Sequence, residues 1–153
     1  MNSTPKILLY GLNEMALVLG RACSLSDNPV VGIYHPDPSL ALKASLFLGV
    51  SALTEKEQAL ATKPDLVICA QPPEEVTCKL LSGATVLNLY GRPDNLPENT
   101  CRLESDPALG ATIPDTITSA IPNLCLKIHG APAVREKWRV FLQSLNAPFS
   151  VEA

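Results

Sequence analysis

Aromatic side chains are scarce in this chain, with three Phe, three Tyr and one Trp in 153 residues. That argues against an aromatic stacking platform for single-stranded nucleic acid. An excess of charge is also missing. Twelve Lys and Arg face 15 Asp and Glu, a net charge of −3, so no broad grip on phosphate backbones or anionic lipid is expected. Nothing approaches the roughly 20 apolar residues of a membrane span. Met1 to Lys6 is polar, and Ile7 to Tyr10 is too brief for a signal-peptide core. The expectation is a soluble, cytoplasmic protein. The five cysteines are odd in number and contain no C-x-x-C pair, which argues against a disulfide framework and against any metal cluster. Cys69 and Cys125 lie in apolar runs and are expected to be buried. No G-x-S-x-G elbow exists, and nothing orders Ser, His and Asp as a hydrolase triad.

What is present is a 46% hydrophobic chain of a length that suits one domain with a full core, taken as residues 1–153. Short apolar runs alternate with helical stretches. Lys6 to Tyr10 lacks polar alternation, as a strand buried on both faces does. A helix is expected over Asn13 to Leu25, with Met15, Leu19, Ala22 and Cys23 on one stripe. Val30 to Tyr34 reads as a second strand. Ser39 can cap a helix to Leu48, stopped by Gly49. Val50 to Leu53 is a short third strand, and Thr54 with Glu57 fits a capping box for a helix to Ala61. Asp65 to Ala70 is a fourth strand, a helix from Pro73 to Leu81 follows, and Ala84 to Leu89 is a fifth strand. This rhythm of about 20 to 25 residues predicts right-handed βαβ crossovers in a parallel sheet. The segment 91–123 carries five prolines and no periodicity beyond a short strand near Cys101 to Leu103. Leu124 to Ile128, a helix from Pro132 to Leu145 and an edge strand at Pro148 to Val151 close the chain. The fold class expected is α/β, a Rossmann-type three-layer α/β/α sandwich on a mostly parallel sheet of about six or seven strands.

The informative turn follows the first strand. Gly11-Leu12-Asn13-Glu14-Met15-Ala16 has the register of G-x-G-x-x-G/A with one departure. Gly11 permits the tight turn, Ala16 the close approach of helix to strand, and Gly20 keeps that face small. A helix N-terminus offers amides and a positive dipole end to a pyrophosphate. Asn13 stands where the middle glycine lets phosphate reach bare backbone. Asn tolerates a left-handed backbone, but its side chain fills space that phosphate oxygens would take. Glu14 adds a negative charge to the first turn.

Three further landmarks lie at the carboxyl ends of later strands. His35 follows the second strand, where an acidic residue commonly binds ribose hydroxyls. It can stack on adenine or bond a ribose or 2′-phosphate, and Asp37 is a ribose acceptor if Pro36 turns it inward. No Arg stands in this turn, so a bidentate 2′-phosphate clamp is missing. Ala70-Gln71-Pro72-Pro73 follows the fourth strand beside the expected switch point. Asn88-Leu89-Tyr90-Gly91 follows the fifth, with Tyr90 able to donate a hydrogen bond. His129, before Gly130, reads as a structural turn residue rather than a general base.

KILLYGLNEMA, VVGIYHPDPSLALKASLFLGV, DLVICAQPPEEV and ATVLNLYG resemble the amino-terminal NADP-binding domain of the 6-phosphogluconate dehydrogenase-like superfamily. The branch it looks like is the Rossmann-like reductases related to pyrroline-5-carboxylate and ketopantoate reductases. The resemblance implies NADP or NAD at Gly11, Leu12, Asn13, Glu14 and Met15, His35 near the adenosine, and Ala70, Gln71 and Pro72 near the nicotinamide. It carries over no catalytic residue. In such families a helical second domain supplies substrate contacts, so a partner chain or homodimer would complete a site here. The last strand or the Trp138 helix is a candidate dimer surface. The alternative is a non-catalytic interaction or sensor protein that takes another nucleotide such as coenzyme A.

Overall fold

In a computed structural model, residues 5–26, 28, 30–70, 84–89, 99–106, 121 and 123–152 are described. The elements in chain order are β1 (Ile7–Tyr10), α1 (Glu14–Leu25), β2 (Val30–Tyr34), α2 (Pro38–Leu48), β3 (Ala52–Leu53), α3 (Lys56–Ala61), β4 (Leu66–Cys69), β5 (Thr85–Asn88), β6 (Thr100–Asp106), β7 (Leu124–Gly130), α4 (Pro132–Ser144) and β8 (Phe149–Glu152). The helix expected after Pro73 lies outside the described residues.

The strands form one eight-stranded sheet, ordered β3-β2-β1-β4-β5-β6-β7-β8. Every neighbouring pair is parallel except β6 and β7. The chain runs from β1 toward one edge through β2 and β3, then returns to the other side of β1 at β4. The switch point is therefore between β1 and β4, where α/β sheets open a crevice at their carboxyl ends.

Eight strands form among the described residues where about six or seven were expected, and β6, read as a short strand near Cys101 to Leu103, is a full seven residues. It alternates, with Cys101 and Leu103 inward and Arg102 and Glu104 on the opposite face. Its polar tail Glu104-Ser105-Asp106 hides it from a search for apolar runs.

Strands β1 and β4 are buried along their whole length, as the absence of alternation predicts. Ile7, Leu9, Ile33, Ile68 and Leu87 pack on one face against α1, α2 and α4. Leu8, Tyr10, Tyr34, Val67 and Val86 pack on the other with Ala59 of α3. The α1 stripe is buried as its spacing predicts. A Cβ on Gly20 would stand 2.8 Å from Leu48 Cδ1 and 2.9 Å from Leu9 Cδ1, so the absent side chain is what lets α1 approach the sheet. Gly49 caps α2 with φ 71°, a left-handed conformation suited to glycine.

Several local expectations are corrected. Asp37, not Ser39, caps α2. Its carboxylate accepts from the Ser39 amide at 2.9 Å, and Pro38 then takes the first helical position, where no N–H is needed. At α3 the Thr54/Glu57 box is replaced by Gln58, whose Oε1 accepts from the amides of Thr54 and Glu55 at 3.0 and 3.1 Å. Cys69 is buried, but Cys125 is exposed, because β7 alternates and puts it on the outer face. Trp138 is fully buried and donates from Nε1 to Val86 O at 3.1 Å, so the inner face of α4 is packed on the sheet. Burial pushes the Cys23 thiol up to about 12, far from the range of a reactive thiolate.

Candidate functional site

The carboxyl ends of the four parallel central strands are tied into one crest by backbone bonds. Gly11 N–H donates to Tyr34 O, Ala70 N–H to Tyr10 O and Leu89 N–H to Cys69 O, each at 2.8 Å. His35 N–H donates to Leu53 O at 3.1 Å. Four of the sequence landmarks thus stand side by side: the turn at Gly11, His35, Ala70 and Asn88-Leu89. Gln71, Pro72, Tyr90 and Gly91 lie outside the described residues.

Gly11 has φ 84°, which explains the glycine at the start of the turn. Asn13 does not use the left-handed backbone that its residue type tolerates. It is extended (φ −150°, ψ −177°) and serves as the N-cap of α1. Its Oδ1 accepts from the Ala16 amide at 2.8 Å, and its Nδ2 donates to Leu89 O over a long 3.4 Å. The carboxamide therefore reaches from the first turn of α1 to the end of β5. Leu12 and Leu17 occupy the positions of a hydrophobic staple around this cap, and both lie in the core. The Met15 side chain is buried too. What Leu12 and Met15 can offer a ligand is thus backbone, and the Met15 amide is in the first turn, where no intrahelical carbonyl reaches it. Glu14 occupies the first helical position.

At the end of β2, His35 Nδ1 accepts from the Asp37 amide at 3.0 Å. Nδ1 must carry a lone pair to do so, which leaves Nε2 as the donor of the neutral ring. Burial lowers the His35 pKa, against an opposing contribution from the Asp37 charge. The Asp37 carboxylate is committed to the α2 cap, so Pro36 does not turn it inward as a ribose acceptor. Beneath the crest, Tyr10 and Tyr34 stack with centroids 4.7 Å apart. Burial, then the Glu57 charge, pushes the Tyr34 hydroxyl up.

Sequence reasoning named Asn88 and His129 separately but missed the row of residues they belong to. The register places Tyr34, Tyr10, Cys69, Asn88, Arg102 and His129 on one level across six strands. Alternation puts them all on the same face of the sheet. Arg102 Nη1 donates to Glu104 Oε1 at 2.6 Å, and His129 Nε2 stands 3.6 Å from Glu104 Oε2. His129 is a strand residue in an acidic contact rather than the turn residue expected. The period-two pattern of Cys101 to Glu104 was the signal that could have found this group. Among the described residues, no group of His, Cys, Asp and Glu could hold a metal ion.

No protein-family model matches the chain, and no curated protein matches it by sequence. Solved structures do match. Prephenate dehydrogenase from Aquifex aeolicus superposes with a TM-score of 0.69 at 14% identity, over 95% of this chain and 60% of that one. An imine reductase variant from Myxococcus stipitatus in complex with NAD+ gives 0.63 at 16% identity, over 98% of this chain and 55% of that one. (S)-3-Hydroxybutyryl-CoA dehydrogenase from Ralstonia eutropha gives 0.59 at 10% identity, over 97% and 63%. The fold is Rossmann-type. The chain spans about three-fifths or less of the length of the first two structures. No helix among the described residues is long and apolar enough to cross a membrane.

Proposed function

We propose that the crest binds a nicotinamide dinucleotide, NADP or NAD, as the coenzyme-binding part of an oxidoreductase. The observation that carries this reading is the Gly11 turn at the head of α1, set beside the β1–β4 switch point. The pyrophosphate sits at the first turn of α1, on the Leu12 and Met15 amides, with Gly11 and Ala70 as the small residues beside it. Glu14 in the same turn keeps the net charge there low, so binding depends on directed amides more than on field strength. His35 presents its Nε2 donor to the adenosine end, and Ala70 with Gln71 and Pro72 receives the nicotinamide end. What supports a redox role is that the three superposed proteins are two dehydrogenases and a reductase. A second chain, a homodimer or a partner subunit, supplies what the crest lacks for turnover. The protein works in the cytoplasm on this reading.

A second reading has its own observation. The Asn13 carboxamide already holds the Ala16 amide, one of the donors a diphosphate would use. On that reading the turn is a closed cap, and the protein is an interaction or sensor subunit that takes no dinucleotide, or a different nucleotide such as coenzyme A. Titration with NADPH and NADH, followed by nicotinamide fluorescence, separates the two. Saturable binding below millimolar supports the first, and no binding of either supports the second. Asn13→Gly then shows whether the carboxamide is the obstacle, because only a closed cap makes the variant bind where the natural chain does not.

A further inference from the structure

The Arg102 side chain is only 17% exposed. A guanidinium has five N–H donors. Among the described residues only one of them, on Nη1, meets an acceptor, the Glu104 carboxylate. Its other N–H groups meet no acceptor among the described residues, and a guanidinium completes its shell from water or a ligand. Its place is specific. It follows Asn88 by one strand in register and Tyr10 by three, about 14 Å along the crest at the usual strand spacing. β6 also outruns β5. Among the described residues, Leu103 to Asp106 pair only with β7, beyond the last β5 residue in register, Asn88, as a wall beside the crest.

We propose that Arg102 is the anchor for an oxyanion, a carboxylate or a phosphate, carried by the molecule that meets the coenzyme. The planar fork of the guanidinium suits two-point binding of such a group. Glu104 holds the guanidinium in place through one N–H and leaves the others for the ligand. The same carboxylate faces His129 through its second oxygen, so entry of an oxyanion is felt at both side chains. Lys127 pairs in register with Glu104 and, on its other side, with Glu152. The wall is thus nearly balanced in charge, and the expected selectivity comes from the fork rather than from net positive potential. The position beside a coenzyme rests on the function proposed above, whereas oxyanion capture by Arg102 does not.

The test uses the full chain at constant ionic strength in chloride, with acetate and inorganic phosphate as probes. The arginine Nε–Hε and histidine ring signals are followed by NMR. A saturable shift with one probe is expected, and which probe produces it tells carboxylate from phosphate. Arg102→Gln should weaken that binding at least about tenfold, and Arg102→Lys should recover part of it. Glu104→Gln, which removes the internal competitor, should tighten it, and this variant serves if Arg102→Gln does not fold. Absence of a saturable shift with both probes overturns the proposal, as does equal binding by Arg102→Gln or unchanged binding by Glu104→Gln. A chain that captures the oxyanion but takes no NADPH or NADH refutes the coenzyme reading and leaves this one standing.

Discussion

The two halves of the sheet solve burial differently. In the parallel half, β1 and β4 are covered on both faces, and their side chains are apolar without alternation. In the half that begins at the β6–β7 reversal, β7 is buried at Leu124, Leu126 and Ile128 and exposed at the residues between. The parallel half spends its side chains on the core and offers a ligand mainly backbone amides at its crest. The half past the reversal keeps one face for charge and offers side chains. A recognition site that needs both a diphosphate cradle and a charged contact has to span the junction, as Asn88 and Arg102 do in register.

The largest expected effect breaks the link between the halves. Trp138 sits on α4 in the second half and donates to Val86 O of β5 in the first. Trp138→Ala removes the largest fully buried side chain and should cost about 3–5 kcal/mol in urea unfolding. Next is Gly130, with φ 153°, where a Cβ would meet Cys101 Sγ at 2.7 Å and Cys101 Cα at 3.1 Å. Gly130→Ala should cost about 1–3 kcal/mol by the same assay, since the obstruction includes backbone.

At the crest, Asn13→Ala should lower stability by about 1 kcal/mol and Asn13→Gly by only a few tenths, because glycine is a tolerated N-cap. Equal costs for the two would show that the bond to Leu89 O, not the cap, is what Asn13 supplies. The smallest effect is a slope. The folded-state pKa of His35 lies below its ordinary 6.5. Its neutral form is therefore favoured by folding, and the unfolded chain binds the extra proton first as pH falls. Stability from this group is present above about pH 6.5 and is lost as pH falls from there through the lower folded value. His35→Asn should flatten that part of a stability–pH curve.

Much of the first half was legible because a doubly covered parallel strand leaves a compact apolar run, and because glycine with positive φ marks its turns. Val30 to Tyr34 and the Gly49 stop match residue for residue. The caps were misplaced where two polar residues competed, as Asp37 did with Ser39, since the backbone angle that decides between them is tertiary. Asn13 was read as the obstacle, but it is the N-cap of α1, a local role that suits its residue type, whereas its bond to Leu89 O joins segments 76 residues apart and no local pattern shows it. In the second half the functional signal sits in a period-two strand with charged outward residues. Arg102 and Glu104 are two residues apart on β6, but His129 comes from β7, and only the antiparallel register brings it to them.

The most direct measurement is a 1H–15N spectrum of the labelled chain as NADP+ and then NAD+ are added. Saturable shifts are expected at the Leu12, Met15 and Ala16 amides and at the Asn13 carboxamide for at least one of the two. If those signals stay in place at millimolar coenzyme, the head of α1 is a closed cap and the coenzyme reading is wrong.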